Sequence, residues 1–250
     1  GLEDVRIEQE DARSLAFDLR SFDFVEVDPF GSPNKYLDSC IQQLRDGGVI
    51  AVTATDTAPL SGTYPTTCRR KYWADPRRTY EMHEFGLRIL IRKIQLVGAQ
   101  HNRALTPLVS YASDHYFKAI FTCDKSKKAA HKMQREHETV LRGEDRVGPM
   151  WTGRLGTAEA ISFDTTRTEE KTTDLVSTLT KEYAVGALGF FDIHEAASDD
   201  GVGAPPAVND VLQCLEDNGH RAERTHFSST GVRTNASYDE FLTAVTDVSG

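Results

Sequence analysis

Features that would place the chain in a membrane, in an oxidising compartment or around a metal are missing from its sequence. Among its 250 residues no run approaches the ~20 apolar side chains of a membrane span, and no signal peptide is visible. The four cysteines, Cys40, Cys68, Cys123 and Cys214, lie far apart with no C-x-x-C pair. That spacing argues against a zinc site and against a disulfide framework, so reduced thiols in a cytoplasmic protein are expected. The histidines are scattered and yield no metal-ligand set, so no metal is expected. Internal repeats are absent. Positive charge is also short, at 29 Lys and Arg against 38 Asp and Glu, which leaves a net charge of −9. Acidic, Thr-rich segments such as Asp164 to Asp174 fit either a solvated surface or adaptation to a salt-rich cytoplasm. The sequence opens on Gly1 and enters strand-like residues almost at once. It is therefore expected to be part of a longer protein.

What is present is a well-punctuated α/β pattern. Val5 to Glu8 alternates like a short strand, Ser14 to Arg20 suits a helical turn, and Phe22 to Val27 reads as a largely buried strand. Asn34 is placed to cap a helix from Lys35 to Arg45, with Tyr36, Leu37, Cys40, Ile41 and Leu44 on one face. Gly47-Gly48 ends that helix, and Val49 to Thr53 forms the next strand. Strand, helix and strand within about 30 residues is the βαβ signature of a parallel sheet. A polar loop from Thr55 to Tyr64 follows, then a long helix over Thr79 to Ala99. Leu108 to Tyr111 and His115 to Thr122 predict antiparallel strands at the sheet margin.

Three regions result: 1–124 as the sheet domain, 125–150 as a charged connector and 151–250 as a smaller α+β domain. Helices in the last are expected at Thr173 to Ala184, Val208 to Asn218 and Tyr238 to Val245, with a hairpin over Arg221 to Thr234.

The most informative stretch is Asp28-Pro29-Phe30-Gly31, directly after the first buried strand. In an open α/β sheet, ligands bind outside the carboxyl ends of the strands. A nucleobase amine is a poor nucleophile because its lone pair is delocalised, and two hydrogen-bond acceptors on its N–H groups would favour a pyramidal nitrogen. Asp28 offers one acceptor. The Pro29 carbonyl offers another if the next residues turn away and leave it unpaired. Phe30 offers a ring face, and Gly31 allows close backbone approach. Taken alone the tetrapeptide suits an ordinary strand-to-helix turn equally well. Arg69-Arg70-Lys71, Arg77-Arg78 and Arg92-Lys93 are basic islands that either contact phosphates or decorate a solvated face; Tyr72 or Trp73 beside them offers a ring for base stacking. Asp56 either orders the loop or caps it. His83 and Glu84 fit support of the long helix, and His226, in a polar hairpin, fits RNA contact or a plain surface position.

Several words recur in one order: Asp28 to Pro33, Thr53 to Ala58, Arg70-Lys71-Tyr72, His83-Glu84, Leu87 to Leu90, Gly148 to Gly153, Thr225-His226-Phe227 and Gly231 to Thr234. In this the sequence closely resembles the tRNA guanine-N2 dimethyltransferase family, which methylates the guanine at position 26, between the D-arm and the anticodon arm. The resemblance covers nearly the whole chain. It implies S-adenosylmethionine as methyl donor, tRNA as partner, and a class I methyltransferase Rossmann-like sheet, here partial, with a C-terminal domain that helps hold tRNA. Asp28, Pro29, Phe30 and Gly31 match the family's catalytic motif, and Asp11-Ala12 match the turn that contacts the donor's adenine. Arg69, Arg70, Lys71, Tyr72 and His226 are then candidate tRNA contacts. The family's glycine-rich donor loop and ribose-binding acid have no counterpart in these residues, and neither does the cysteine cluster that some relatives carry in the connector. Two alternatives stay open: a tRNA-binding fragment without activity, and an amino-methyltransferase acting on adenine or cytosine. The sequence specifies no oligomeric state.

Overall fold

A computed structural model describes residues 5, 7–18, 21–161, 169–199 and 204–249. Its first element is helix α1 (Ala12–Asp18), followed by strand β1 (Phe22–Val27), helix α2 (Asn34–Gln42) and strand β2 (Leu44–Ala54). Helices α3 (Thr57–Leu60), α4 (Pro65–Tyr72) and α5 (Met82–Gln100) lead to the hairpin of β3 (Ala104–Ser113) and β4 (Tyr116–Asp124). The sheet runs β1-β2-β4-β3. β1 and β2 are parallel, with Val27 opposite Val52, while β4 is antiparallel to both β2 and β3. This is the expected βαβ unit with an antiparallel hairpin at its margin, a Rossmann-like arrangement.

Several details differ from the sequence reading. Among the described residues β1 is the outermost strand of the sheet: Phe24 is 55% exposed, and within β1 only Val27 is fully buried. α2 stops at Gln42, and β2 starts at Leu44, which lies opposite Phe22. The register then jumps, so that Phe24 faces Val49 and Arg45 to Gly48 bulge outward. The glycine pair makes this possible. Gly47 has a φ of +72°, and a Cβ on Gly48 would stand 3.0 Å from the carbonyl oxygens of Arg45 and Phe22. Asn34 does not cap α2, because Pro33 occupies that position and the Asn34 amide instead donates to the Lys71 carbonyl at 2.9 Å. α4 was invisible in the pattern because only Cys68 and Tyr72 of its eight residues are buried. Its entry is nonetheless marked by Pro65 at the first turn.

The charged segment after β4 is folded as well. It forms helix α6 (Lys127–Met133), a 3₁₀ turn at Gln134–Glu136, and a hairpin of β5 (His137–Arg142) and β6 (Asp145–Trp151). Val147 and Met150 of that hairpin are fully buried in the main core. α5 is consequently covered on nearly all sides, by β3, by α2 and by β6.

Beyond it come α7 (Glu170–Val185), β7 (Phe191–Asp192), α8 (Ile193–Asp199), α9 (Val208–Asp217), β8 (Ala222–Arg224), β9 (Gly231–Thr234) and α10 (Tyr238–Asp247). β7, β9 and β8 form a small antiparallel sheet. The sequence pattern changes at Trp151, but the apolar cores divide later. Leu179 and Tyr183 pack with the first core, whereas Ile193, Val211, Val232 and Phe241 belong to a second.

Candidate active site at the Asp28 turn

Because β1 and β2 are parallel, their carboxyl ends lie at one edge, and the chain leaves each as a turn. The turn after β1 is clamped to the one after β2. Gly31 N–H donates to Thr55 Oγ1 at 2.7 Å, and Thr55 N–H donates to the Gly31 carbonyl at 3.0 Å. Gly31 reaches this geometry with a φ of +82°, the left-handed region that favours glycine. The clamp turns the chain away from the strand direction immediately after Pro29. Among the described residues the Pro29 carbonyl accepts no hydrogen bond, and the exposed Asp28 carboxylate has neither a hydrogen bond nor an ion pair. The Phe30 ring is fully exposed.

A second tier holds this turn in place. Asp56, just after β2, accepts from Lys71 Nζ at 2.9 Å and from the Tyr72 hydroxyl at 2.5 Å. That hydroxyl also lies 3.0 Å from Ser32 Oγ. Asp56 therefore orders the loop through its side chain; it makes no cap bond to α3. Tyr72 is completely buried, and its pKa is pushed up by that burial and by the Asp56 carboxylate. Its ring has no face to offer a base, which corrects the expectation for Tyr72; the ring of Trp73 beside it is exposed, with Lys93 Nζ 3.0 Å from its centroid. Of the other basic candidates, Arg69 is paired with Asp75 and Lys71 with Asp56, whereas Arg70 is exposed and has no acidic partner among the described residues.

Ala12, at the start of α1, meets Asp28 and Pro29 across a shallow depression of about 250 Å³ whose other walls are Glu26, Val27, Tyr36 and Cys40. Two motifs 16 residues apart thus face one space. The Asp11 carboxylate is committed elsewhere. It accepts from the Arg13 backbone N–H at 2.9 Å and pairs with the Arg13 guanidinium, which holds its carboxyl far below the usual range. It is the helix cap of α1. The depression has apolar walls and one unpaired carboxylate, Asp28, since Glu26 is paired with Lys118 Nζ at 2.5 Å. No cluster that could hold a metal ion occurs among the described residues.

His226 lies far from any surface role. Its side chain is 3% exposed, with Nδ1 at 2.5 Å from Glu182 Oε2 and Nε2 accepting the Ala112 N–H at 3.2 Å. It is part of a buried ionic cluster that the sequence reading missed. Glu84 Oε1 accepts from Arg88 Nε at 2.8 Å, and Glu84 Oε2 accepts from Arg233 at 2.8 Å. Arg233 also pairs with Glu182 at 2.8 Å and donates to the carbonyls of Ala187 and Gly189. Arg88 reaches the carbonyls of Trp151 and Gly153. Burial raises the Glu84 and Glu182 carboxyls, but the cations around them outweigh it and hold both down to about 2. The available signal was the words His83-Glu84, Leu87 to Leu90, Thr225 to Phe227 and Gly231 to Thr234, which carry Glu84, Arg88, His226 and Arg233.

Comparison with known proteins agrees with this layout. The family profile described as N2,N2-dimethylguanosine tRNA methyltransferase matches residues 1–145 and 125–246. A tRNA (guanine(26)-N(2))-dimethyltransferase of Pyrobaculum calidifontis is 35% identical over 243 residues, covering 92% of this chain and 66% of that protein. The tRNA (guanine(26)-N(2)/guanine(27)-N(2))-dimethyltransferase of Aquifex aeolicus is 32% identical, covering 88% of this chain and 63% of its own length. The chain thus spans just under two thirds of these curated relatives. The solved complex of Trm1 from Pyrococcus horikoshii with S-adenosyl-L-methionine matches with a TM-score of 0.88 at 28% identity, over 96% of this chain and 70% of that one. The motif order, the sheet with its C-terminal α+β unit and the extent of these matches lead to one assignment: the chain belongs to the N2,N2-dimethylguanosine tRNA methyltransferase family.

Proposed function

We propose that this chain supplies the base-accepting side of an enzyme that transfers methyl groups from S-adenosylmethionine to the exocyclic N2 of guanine 26 in tRNA. The observation that carries this reading is the pair of free acceptors at the end of β1, the Asp28 carboxylate and the Pro29 carbonyl, beside the exposed Phe30 ring. An enzyme that acts on a base takes it out of its stack. Phe30 then covers the face of the guanine, and Asp28 and the Pro29 carbonyl each accept one N2–H. With both N–H groups held, the nitrogen lone pair is freed from the ring and directed away from the acceptors. Asp28 takes up the proton that N2 releases as the new C–N bond forms.

Ala12, Glu26, Val27, Asp28 and Pro29 are the residues that would hold the donor's near side, and the unpaired Asp28 carboxylate favours its positive charge, Glu26 being paired with Lys118. The donor supplies an activated methyl group on a sulfonium, so positioning and charge are the protein's main contributions. The Asp56–Tyr72–Ser32 tier keeps the acceptors aimed. Arg70 is the candidate phosphate contact on α4, and the setting is cytoplasmic. One N–H remains after the first transfer, so a second transfer proceeds with one of the two acceptors engaged.

The direct test is Asp28→Ala in the whole protein. Its turnover on tRNA should fall by about 10²–10⁴-fold while titration with S-adenosylmethionine still shows donor binding. Near-normal turnover with intact donor binding would falsify the assignment. Mass spectrometry of digested tRNA checks the product, and methyl groups on adenine or cytosine rather than guanine N2 would overturn the substrate.

A further inference from the structure

The positive charge of this acidic chain is distributed unevenly between two places. Around α4 it is largely neutralised: Arg69, Lys71 and Arg77 pair with Asp75, Asp56 and Asp145. Around α6 it is bare. The eleven residues from Lys125 to Arg135 contain Lys125, Lys127, Lys128, Lys132 and Arg135, together with His131, and no acid. All six side chains are exposed, and none of the five cations makes an ion pair among the described residues.

His131 and Lys132 stand in the last turn of α6, where the helix dipole favours them, but the rest of the density works against the helix. Lys127 and Lys128 stand in its first turn, where the helix dipole disfavours cations. Lys128 and Lys132 are four residues apart and repel each other, at a cost of about 0.2–0.5 kcal/mol. Lys128, Lys132 and Arg135, at i, i+4 and i+7, share one side and edge a groove of about 410 Å³ with Ser126, Ala129 and His131. The opposite side is already used: Ala130 and Met133 are buried in the main core.

The position of this ridge is set by the sheet. β4 runs antiparallel to β2, so the chain leaves the sheet at Asp124 beside the amino end of β2, where Lys125 N–H donates to Asp46 Oδ1 at 2.8 Å. Asp28 lies at the carboxyl end, level with Thr53. On the regular strand β4, Lys118 opposite Thr53 and Asp124 at the exit are six residues apart, or about 20 Å along the sheet. Only an extended ligand reaches both ends at once.

We propose that the α6 ridge is a second contact surface for the substrate RNA, gripping the phosphate backbone of the tRNA at the sheet end opposite the reacting base. This rests on the tRNA reading of the Asp28 turn. Phosphates fit five unpaired cations on a convex helix. A lipid surface fits poorly, because a membrane-bound helix needs an apolar face to insert, and that of α6 is taken up by the core. The ridge binds without sequence preference and sets affinity, register and salt dependence, while the Asp28 turn selects the base.

The test is the triple variant Lys127→Gln, Lys128→Gln, Lys132→Gln in the whole protein, with all three changes on exposed positions. Its tRNA affinity in 0.1 M salt should fall about tenfold or more. The slope of log affinity against log salt should become shallower by ~2–3, about one unit per lost phosphate contact. KM for tRNA should rise accordingly, with donor affinity and melting temperature unchanged. Unchanged affinity and slope would overturn the inference. So would binding of anionic vesicles that is lost in the variant while its tRNA affinity stays intact. Failure of this ridge is distinct from failure of the reaction site, because Asp28→Ala reports on turnover and the triple variant on binding. Wild-type protein that does not bind tRNA would overturn both.

Discussion

Asp28 and Phe30 occupy positions that folding does not require. Neither packs in a core, and the Asp28 carboxylate has no partner among the described residues. Phe30→Ala should therefore leave stability within about 0.5 kcal/mol. Loss of a base–aromatic stack, worth ~1–3 kcal/mol, should lower kcat/KM for tRNA about 10- to 100-fold. Steady-state kinetics beside a thermal melt separates the two effects, and unchanged kinetics would count against stacking. At this scale sequence reading fails where burial decides. Tyr72 and His226 looked like surface rings because their neighbours are polar. Their fate depends on partners distant in sequence: Asp56 for Tyr72, and Glu182, 44 residues away, for His226.

At the scale of elements, the Asp28 turn depends on the Gly31–Thr55 clamp. A Cβ on Gly31 meets nothing within 4 Å, so Gly31→Ala strains only the backbone at φ +82°. The cost should be about 1–2 kcal/mol. Relief by a shift of φ would move Thr55 and re-aim the Pro29 carbonyl. We expect a melting temperature a few degrees lower and a disproportionate loss of turnover, read from parallel melts and single-turnover assays. Equal, small losses in both would detach the clamp from catalysis. Strands β1 to β4, the β8–β9 hairpin, α2, α5, α7, α9 and α10 were legible from apolar period and turn chemistry. α4 and the β5–β6 hairpin were not. The first buries too few residues to show a period, and the second is masked by charge on its exposed positions.

For the molecule as a whole, the buried cluster of Glu84, Arg88, Glu182 and Arg233 bridges the long helix and the small C-terminal sheet. Glu84→Gln would leave two buried guanidinium groups short of an anion, and should cost about 3–5 kcal/mol in urea unfolding at pH 7. The sign of the pH dependence follows from the lowered carboxyl values. Glu84 and Glu182 sit at about 2 in the folded protein against an ordinary 4.5. Their stabilisation is complete above about 4.5 and is lost as pH falls through about 2. The stability gap between wild type and Glu84→Gln should narrow across that window, and a gap that stays constant would assign the loss to packing instead.

By itself the sequence determined the strand–turn–helix rhythm, the acidic balance and the place of the Asp28 turn, because propensity, period and turn chemistry act over a few neighbouring residues. Only the tertiary structure decided which charges are spent and which are free. Pairing with Asp56, 15 residues away, neutralises Lys71, and pairing across 149 residues buries Glu84 with Arg233, while Asp28 and the α6 lysines stay open to solvent. Ion pairing and burial depend on distance in space, which local sequence does not encode.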